Sequence, residues 1–125
     1  MRTVYGYLLV FFGAGIGGAL RHTVNLVSLR LWGPDLPVST FLVNLLGSFT
    51  VGVIAGQLAL RGHASQTMQL LLVTGILGGF TTFSAFSLEA ALLWERGQVL
   101  LCLAYVLCSG ALSIAAVFAG LTLSR

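Results

Sequence analysis

The side chains best placed for chemistry are polar groups inside long apolar segments. Residues 75–89 combine an adjacent glycine pair with two threonines, two serines and three phenylalanines. Lipid offers no partner for a freed backbone N–H or C=O, so a broken helix is tolerated only where protein or a wet cavity satisfies those groups. Such breaks are typical of ion sites. This run therefore predicts a helix broken near residues 78–82, or else a glycine-rich packing face whose hydroxyls bond to their own helix.

Most of the embedded polar side chains are hydrogen-bond donors. The amide of Asn44 is the most costly to bury unpaired, and the ring edges of Phe83 and Phe86 are electropositive. A line of donors with few carboxylates favours a small, strongly hydrated anion. Phenylalanines of this kind are more often packing residues than ligands, so both roles stay open. The other donors are the charge of Arg21 and the hydroxyls of Thr40, Ser84, Tyr105, Ser109 and Ser113.

Two of these sets recur at helical spacing. Thr40, Asn44, Ser48, Gly52 and Gly56 follow a period of four, which forms one stripe on a helix. A second stripe carries Tyr105, Ser109 and Ser113, and Glu89 is the only carboxylate well inside a span. Polar contacts between membrane helices are also ordinary structural contacts. The stripes therefore predict either a polar path or a bundle held together by hydrogen bonds.

Four helices are needed to position these groups. With 58% hydrophobic and 7% charged residues the chain is unlike a soluble domain, which carries about 25% charge. Each of four apolar spans exceeds the ~20 residues that cross a bilayer. The spans predict an all-α, multi-pass membrane protein with one four-helix domain over residues 1–125 and no nucleic-acid partner. They cover approximately residues 4–29, 37–60, 66–94 and 99–123.

The loop charges bear on orientation. Arg2, Arg61 and Arg125 fall on one side of the membrane, and Arg30 and Arg96 on the other. This balance removes the positive-inside bias that normally fixes orientation. It predicts insertion in both orientations and an antiparallel homodimer, although few charges also make a weak signal for any protein.

Catalysis is not indicated. The sequence shows no nucleophile–base pair, carboxylate dyad, phosphate-binding loop or metal-ligand cluster. We therefore expect a protein that conducts or binds an ion and is not an enzyme.

Three blocks carry a family resemblance. They are Gly-Gly-Ala-Leu-Arg at 17–21, Thr-Phe-Leu-Val-Asn-Leu-Leu-Gly-Ser-Phe at 40–49, and the glycine- and phenylalanine-rich run at 75–89. Together they resemble the signature blocks of the Fluc (CrcB) fluoride channels. The resemblance implies an antiparallel, dual-topology dimer in the inner or plasma membrane. Such a dimer carries two parallel pores for passive fluoride export.

The resemblance also implies roles for individual residues. Asn44 matches an asparagine that donates to fluoride, and Phe83 and Phe86 match a pair that presents ring edges to the ion. Gly78 and Thr81 correspond to residues whose backbone carbonyls hold a structural sodium ion (Na+) on the dimer axis. The counterparts of a polar track along the pore are Tyr105, Ser109, Ser113 and Glu89.

The sequence departs from the family pattern at two positions. Ala85 stands where the family commonly has threonine, and His22 replaces an aromatic residue. Neither touches the asparagine or the phenylalanine pair, so we expect conduction to survive.

Two rival functions stay open. One rival is a small dual-topology transporter of the multidrug-resistance type, which needs an acidic residue that residues 4–20 lack. The other is a non-conducting assembly subunit.

Overall fold

The described residues form helices joined by short non-helical segments. The computed structural model describes residues 2–60 and 66–125, and it shows no strand within those ranges. Four segments there are long and apolar enough to cross a membrane, and the third of them is interrupted, as the sequence predicts. The loop charge Arg61 lies outside the described residues. The helices are α1 (Arg2–Trp32), α2 (Val38–Leu60), α3 (66–80), α4 (Ser84–Glu95) and α5 (Val99–Ser124).

The third span changes geometry along its length. α3 comprises a short α-helical start (Gln66–Met68), a π-helical section (Gln69–Leu77) and a last α-helical turn (Gly78–Phe80). Thr81 is extended, with φ −84° and ψ 158°, and the helix resumes at Ser84. The break thus covers residues 81–83, slightly later than the predicted 78–82. π-Helical segments are rare and are frequent at functional sites.

Glycines let α1 and α3 approach closely. A Cβ added at Gly17 would collide with the carbonyl oxygen of Ile76 and lie 2.8 Å from the amide nitrogen of Phe80. One at Gly13 would lie 3.0 Å from the Cα of Gly75. Gly13 and Gly17 form a G-x-x-x-G pattern, which predicts close approach of another helix, and the structure places this packing face against α3.

A second close pair is formed by α2 and α5. A Cβ added at Gly52 would meet the carbonyl group of Val117. One at Gly120 would meet the carbonyl oxygen of Phe49 and lie 2.7 Å from the amide nitrogen of Val53. Backbone therefore packs against backbone along this pair as well.

α4 packs through side chains instead. Leu93, only 2% exposed, forms a small buried cluster with Cys102 and Tyr105 of α5, and Phe86 packs against it. The turn between the two helices places Gly97 at φ 80°, a left-handed conformation that glycine adopts without strain. This turn brings α5 back alongside α4, which positions Tyr105 against the second half of the broken span.

Candidate functional site

Asn44 substitutes for backbone at the helix break. Its Nδ2 donates to the carbonyl oxygen of Thr82 at 2.9 Å, and the Thr82 amide donates to Asn44 Oδ1 at 2.8 Å. These two bonds fix which end of the amide carries the oxygen. One hydrogen is used in the bond to Thr82, and the second Nδ2 hydrogen remains for another acceptor.

The break also removes the helical donors of two carbonyl groups. In a continuous helix the amide of Thr82 would reach the carbonyl of Gly78, but it bonds to Asn44 instead. The amide of Ala85 would reach the carbonyl of Thr81, but it bonds to Thr82 Oγ1 at 3.2 Å. Both carbonyl oxygens are left without their usual partners, and each needs a donor or a cation when water is excluded.

Arg21 supports the end of α3. Its Nε donates to the carbonyl oxygen of Gly79 at 3.2 Å, across 58 residues of chain. A cation is favourable at this position because the last carbonyls of a helix carry partial negative charge. The structure therefore ties the arginine of α1 to the break.

A groove of about 380 Å³ lies beside the break, between α2, α3, α4 and α5. Its described lining contains no carboxylate. It brings together seven of the sequence-predicted residues, from both the anion-path set and the cation set. These are Asn44, Gly78, Thr81, Phe83, Phe86, Ser109 and Ser113.

Ser109 presents an unpaired hydroxyl at this groove. The residue is 6% exposed, and its Oγ has no hydrogen-bond partner among the residues that the structure describes. Other hydroxyls behave as membrane-helix hydroxyls usually do: Thr23 donates to the carbonyl of Ala19 and Thr50 to that of Leu46. A buried, unpaired hydroxyl costs about 1–3 kcal/mol, so Ser109 is suited to bind a ligand in the groove.

Three aromatic rings form a row along the same wall. The ring centroids of Phe83 and Phe86 are 5.6 Å apart, and those of Phe86 and Tyr105 are 5.1 Å apart. Phe83 is 78% exposed in the single chain, whereas Tyr105 is buried. The row thus leads from the surface of the chain towards the interior of the helix bundle.

Glu89 lies at the inner end of that row. Thr40 donates a close hydrogen bond to Glu89 Oε1, and the hydroxyl of Tyr105 donates to Oε2 at 3.3 Å. Thr40 and Glu89 also line a second cavity, of about 250 Å³, together with Arg21. This carboxylate is therefore held by two hydroxyls and is absent from the described lining of the groove.

Most of the predicted residues thus line these two cavities, and Thr40 and Glu89 also line a third cavity of about 200 Å³. Thr82 lines both cavities, and Tyr105 bridges them because its ring packs on Phe86 while its hydroxyl bonds to Glu89. Ser84 is exposed and lies in neither lining, and its Oγ is 3.3 Å from Thr82 Oγ1.

Sequence reasoning missed the importance of Thr82. Its backbone pairs with Asn44, and its hydroxyl accepts the amide hydrogen of Ala85 at the start of α4. A threonine three residues before the paired amide is a helix N-terminal signal that could have identified it. Ser48, which lines the groove, was noted only as a member of the α2 stripe.

Comparison with known proteins supplies the family. Residues 8–121 match the family described as "CrcB-like protein, Camphor Resistance (CrcB)". A protein of Rhodopseudomonas palustris named fluoride-specific ion channel FluC is 57% identical over 119 residues, which cover 95% of this chain and 96% of the relative. Proteins of Nitrobacter hamburgensis and Granulibacter bethesdensis, named fluoride-specific ion channel FluC 2 and FluC, are 51% and 52% identical. They align over 95% of this chain and over 96% and 94% of their own lengths. With a family match over most of its length and four helices able to span a membrane, this chain belongs to the CrcB family of multi-pass membrane proteins.

Proposed function

We propose that this protein is a fluoride-selective channel that exports fluoride passively across the cell membrane and is not an enzyme. The observation that carries the proposal is the groove at the helix break. It joins an amide donor, an unpaired buried hydroxyl and two phenyl rings, without a carboxylate in its described lining. The names of the relatives agree with this function.

The chemistry of the groove suits a small anion. Fluoride holds its water tightly, so a path must replace that water with closely spaced donors, as potassium filters do with carbonyls for a cation. The second Nδ2 hydrogen of Asn44 and the hydroxyl of Ser109, which have no partner among the described residues, are such donors. The electropositive edges of Phe83 and Phe86 add weaker ones on the same wall.

The second cavity continues the path in this proposal. It contains Arg21, Thr40 and Glu89, and it meets the groove at Thr82. The arginine draws anions towards the break, while the hydroxyls of Thr40 and Tyr105 hold the glutamate aside. Ser113 extends the groove along α5, and Ser84 is placed at its rim beside Thr82.

The assembly we propose is an antiparallel dimer with two pores. In the single chain Gly78 is exposed and Phe83 is 78% exposed, so the break with its open carbonyls lies on the outer surface. Lipid cannot satisfy these groups, whereas a second copy can cover them. The exposed Arg30, Arg96 and Arg125 of opposite membrane sides are consistent with both insertion orientations.

A sodium ion fits the carbonyls at the break. Those of Gly78 and Thr81 have lost their helical donors to Asn44 and Thr82, and hard cations prefer oxygen ligands. When bound, the ion supplies a structural charge that satisfies these oxygens at the dimer axis. An experimental structure of the dimer in which the third span is an unbroken, fully hydrogen-bonded helix at these residues would contradict this assignment.

The test is anion efflux from liposomes that carry the purified protein. We expect fluoride release with little chloride release, and a dimeric mass for the protein in detergent. Phe83→Ile and Phe86→Ile keep the apolar bulk but lose the ring edge, so fluoride release should fall about tenfold or more. The matched control is Phe118→Ile, because Phe118 is an exposed phenylalanine of α5 outside both cavities.

Three results would count against the proposal. Fluoride release at the rate of empty liposomes would indicate a non-conducting assembly subunit. Uptake of a lipophilic cation driven by a proton gradient would indicate a transporter of the multidrug-resistance type. Wild-type rates and selectivity in both isoleucine variants would show that the two phenylalanines are packing residues.

A further inference from the structure

The period-four stripe of α2 makes two kinds of contact, polar at its start and glycine-mediated further along. Its members follow every fourth residue, and the structure sends them to different neighbours. Thr40 reaches Glu89, Asn44 reaches the break and Ser48 lines the groove, whereas the glycines further along the stripe face α5.

These glycines hold α2 close against α5 through backbone contacts, and we call this set of contacts the lock. A Cβ at Gly52 would meet the carbonyl oxygen of Val117 and lie 3.0 Å from its carbonyl carbon. From the other side, a Cβ at Gly120 would meet the carbonyl oxygen of Phe49. Backbone atoms cannot rotate away as side chains can, so any larger residue at these two positions must push the helices apart.

A side-chain contact extends the lock towards the end of α5. The Nε2 of Gln57 donates to the carbonyl oxygen of Ser124 at 2.8 Å. A Cβ at Gly56 would collide with Ser124 Oγ and lie 3.1 Å from its Cβ. The obstructing oxygen here belongs to a short side chain that can be removed by substitution.

The lock begins one turn from the groove. Ser48 of α2 and Ser113 of α5 both line the groove. Gly52 lies four residues beyond Ser48, and Val117 lies four residues beyond Ser113. The separation of the two helices at this contact therefore sets the separation of the groove walls one turn away.

We propose that the Gly52–Val117 and Gly120–Phe49 backbone contacts determine anion selectivity by fixing the width of the groove between α2 and α5. This inference rests on the proposed fluoride conduction. Close donors compensate a small anion for lost water better than a large one, and chloride is the cheaper of the two to dehydrate. A wider groove weakens contacts to fluoride and admits chloride. The ratio of fluoride release to chloride release therefore reports the width of the groove.

The first test compares Gly52→Ala with wild type in liposome efflux of fluoride and chloride. We expect the ratio of fluoride to chloride release to fall about tenfold, through slower fluoride and faster chloride. The controls are Ala55→Val on α2 and Ala119→Val on α5. Both alanines are exposed and lie outside the cavities, so these variants add apolar volume to the same helices without changing the lock.

A second test uses the removable obstruction. Gly56→Ala should lower the same ratio about threefold, because its collision is with a side-chain oxygen two turns from Ser48. Combining it with Ser124→Ala should recover most of the lost ratio, because the collision with Ser124 Oγ is removed while Ser124 Cβ and the carbonyl oxygen of Leu121 stay 3.1 and 3.3 Å from the added methyl. The single variant Ser124→Ala should leave the ratio unchanged, since the Gln57 bond uses the Ser124 backbone.

The outcomes separate this inference from the proposed function. Wild-type protein that shows no fluoride preference would defeat the proposed function itself. Selective wild type together with an unchanged ratio in dimeric Gly52→Ala would overturn the inference. Equal slowing of both anions, or loss of folded protein in Gly52→Ala with no change of ratio in Gly56→Ala, would assign the glycines a structural role only and would also overturn it.

Discussion

The two halves of the broken span are attached to the protein in different ways. α3 lies against α1 with backbone touching backbone, since a Cβ at Gly17 or Gly79 would strike main-chain atoms of the facing helix. α4 is attached through side chains, above all the ring contact of Phe86 with Tyr105 and the hydrogen bonds of Glu89.

Because of this difference, the two halves differ in how many arrangements their contacts allow. Main-chain contacts have one arrangement, because no rotamer change can relieve them. Side-chain contacts have several, because rotamers interconvert on short timescales. We call α3, which holds the carbonyls of the break against α1, the fixed half, and α4, which is held by side-chain contacts that can rearrange, the adjustable half.

The largest effect is expected from breaking the fixed half with Gly17→Ala. The added methyl would collide with the carbonyl oxygen of Ile76, and overpacking of this kind costs about 3 kcal/mol. We expect loss of most folded protein, measured as the yield of the main peak in gel filtration and its melting temperature. Gly15→Ala is the control, because nothing lies within 4 Å of a Cβ at Gly15. Equal stability of the two variants would refute the close α1–α3 contact.

A smaller but selective effect is expected from Asn44→Asp, which acts where the halves join. An aspartate can still accept from the Thr82 amide, but it cannot donate to the Thr82 carbonyl, and it brings negative charge to the groove. We expect fluoride release to fall about a hundredfold, combining a lost donor of ~1–3 kcal/mol with anion repulsion. The protein should still purify as a folded species, unlike Gly17→Ala. Fluoride release within about twofold of wild type would remove Asn44 from the path.

The smallest effect is expected from Tyr105→Phe on α5, which contacts the adjustable half. The change deletes a 3.3 Å hydrogen bond to Glu89 and keeps the ring against Phe86. A long bond of this kind contributes about 0.5 kcal/mol, so release should change about twofold. Thr40→Val deletes the closer bond to the same carboxylate and should have the larger effect of the two. The reverse order in side-by-side efflux rates would contradict the arrangement around Glu89.

Most of the fold follows from the sequence because lipid imposes strong rules. Apolar length predicts the spans, and the Gly13–Gly17 spacing predicts a packing face, which the structure places against α3. The break was predicted a few residues early because Gly78 is helical, with φ −62° and ψ −37°. Glycine only permits a break; its position depends on the Thr82 amide finding a partner on another helix.

The candidate site was less predictable because it also depends on partners that lie on other helices. Residue types identified the donors, but Thr40 and Asn44, one turn apart on α2, reach different cavities. Their separation depends on Thr82, which lies between the cavities and is positioned by tertiary hydrogen bonds. Periodicity within one helix contains no information about such partners.

The Asn44–Thr82 exchange has a consequence for biogenesis. The amide that takes over the backbone bonds of residue 82 belongs to α2, which is synthesised before the third span. In hydrocarbon an opened turn without such a partner leaves polar groups unsatisfied. We therefore expect a peptide of residues 66–95 alone in lipid to form an uninterrupted helix, measurable as higher helicity per residue than the same span has in the whole protein. In that case the bend is acquired when the third span docks against α2.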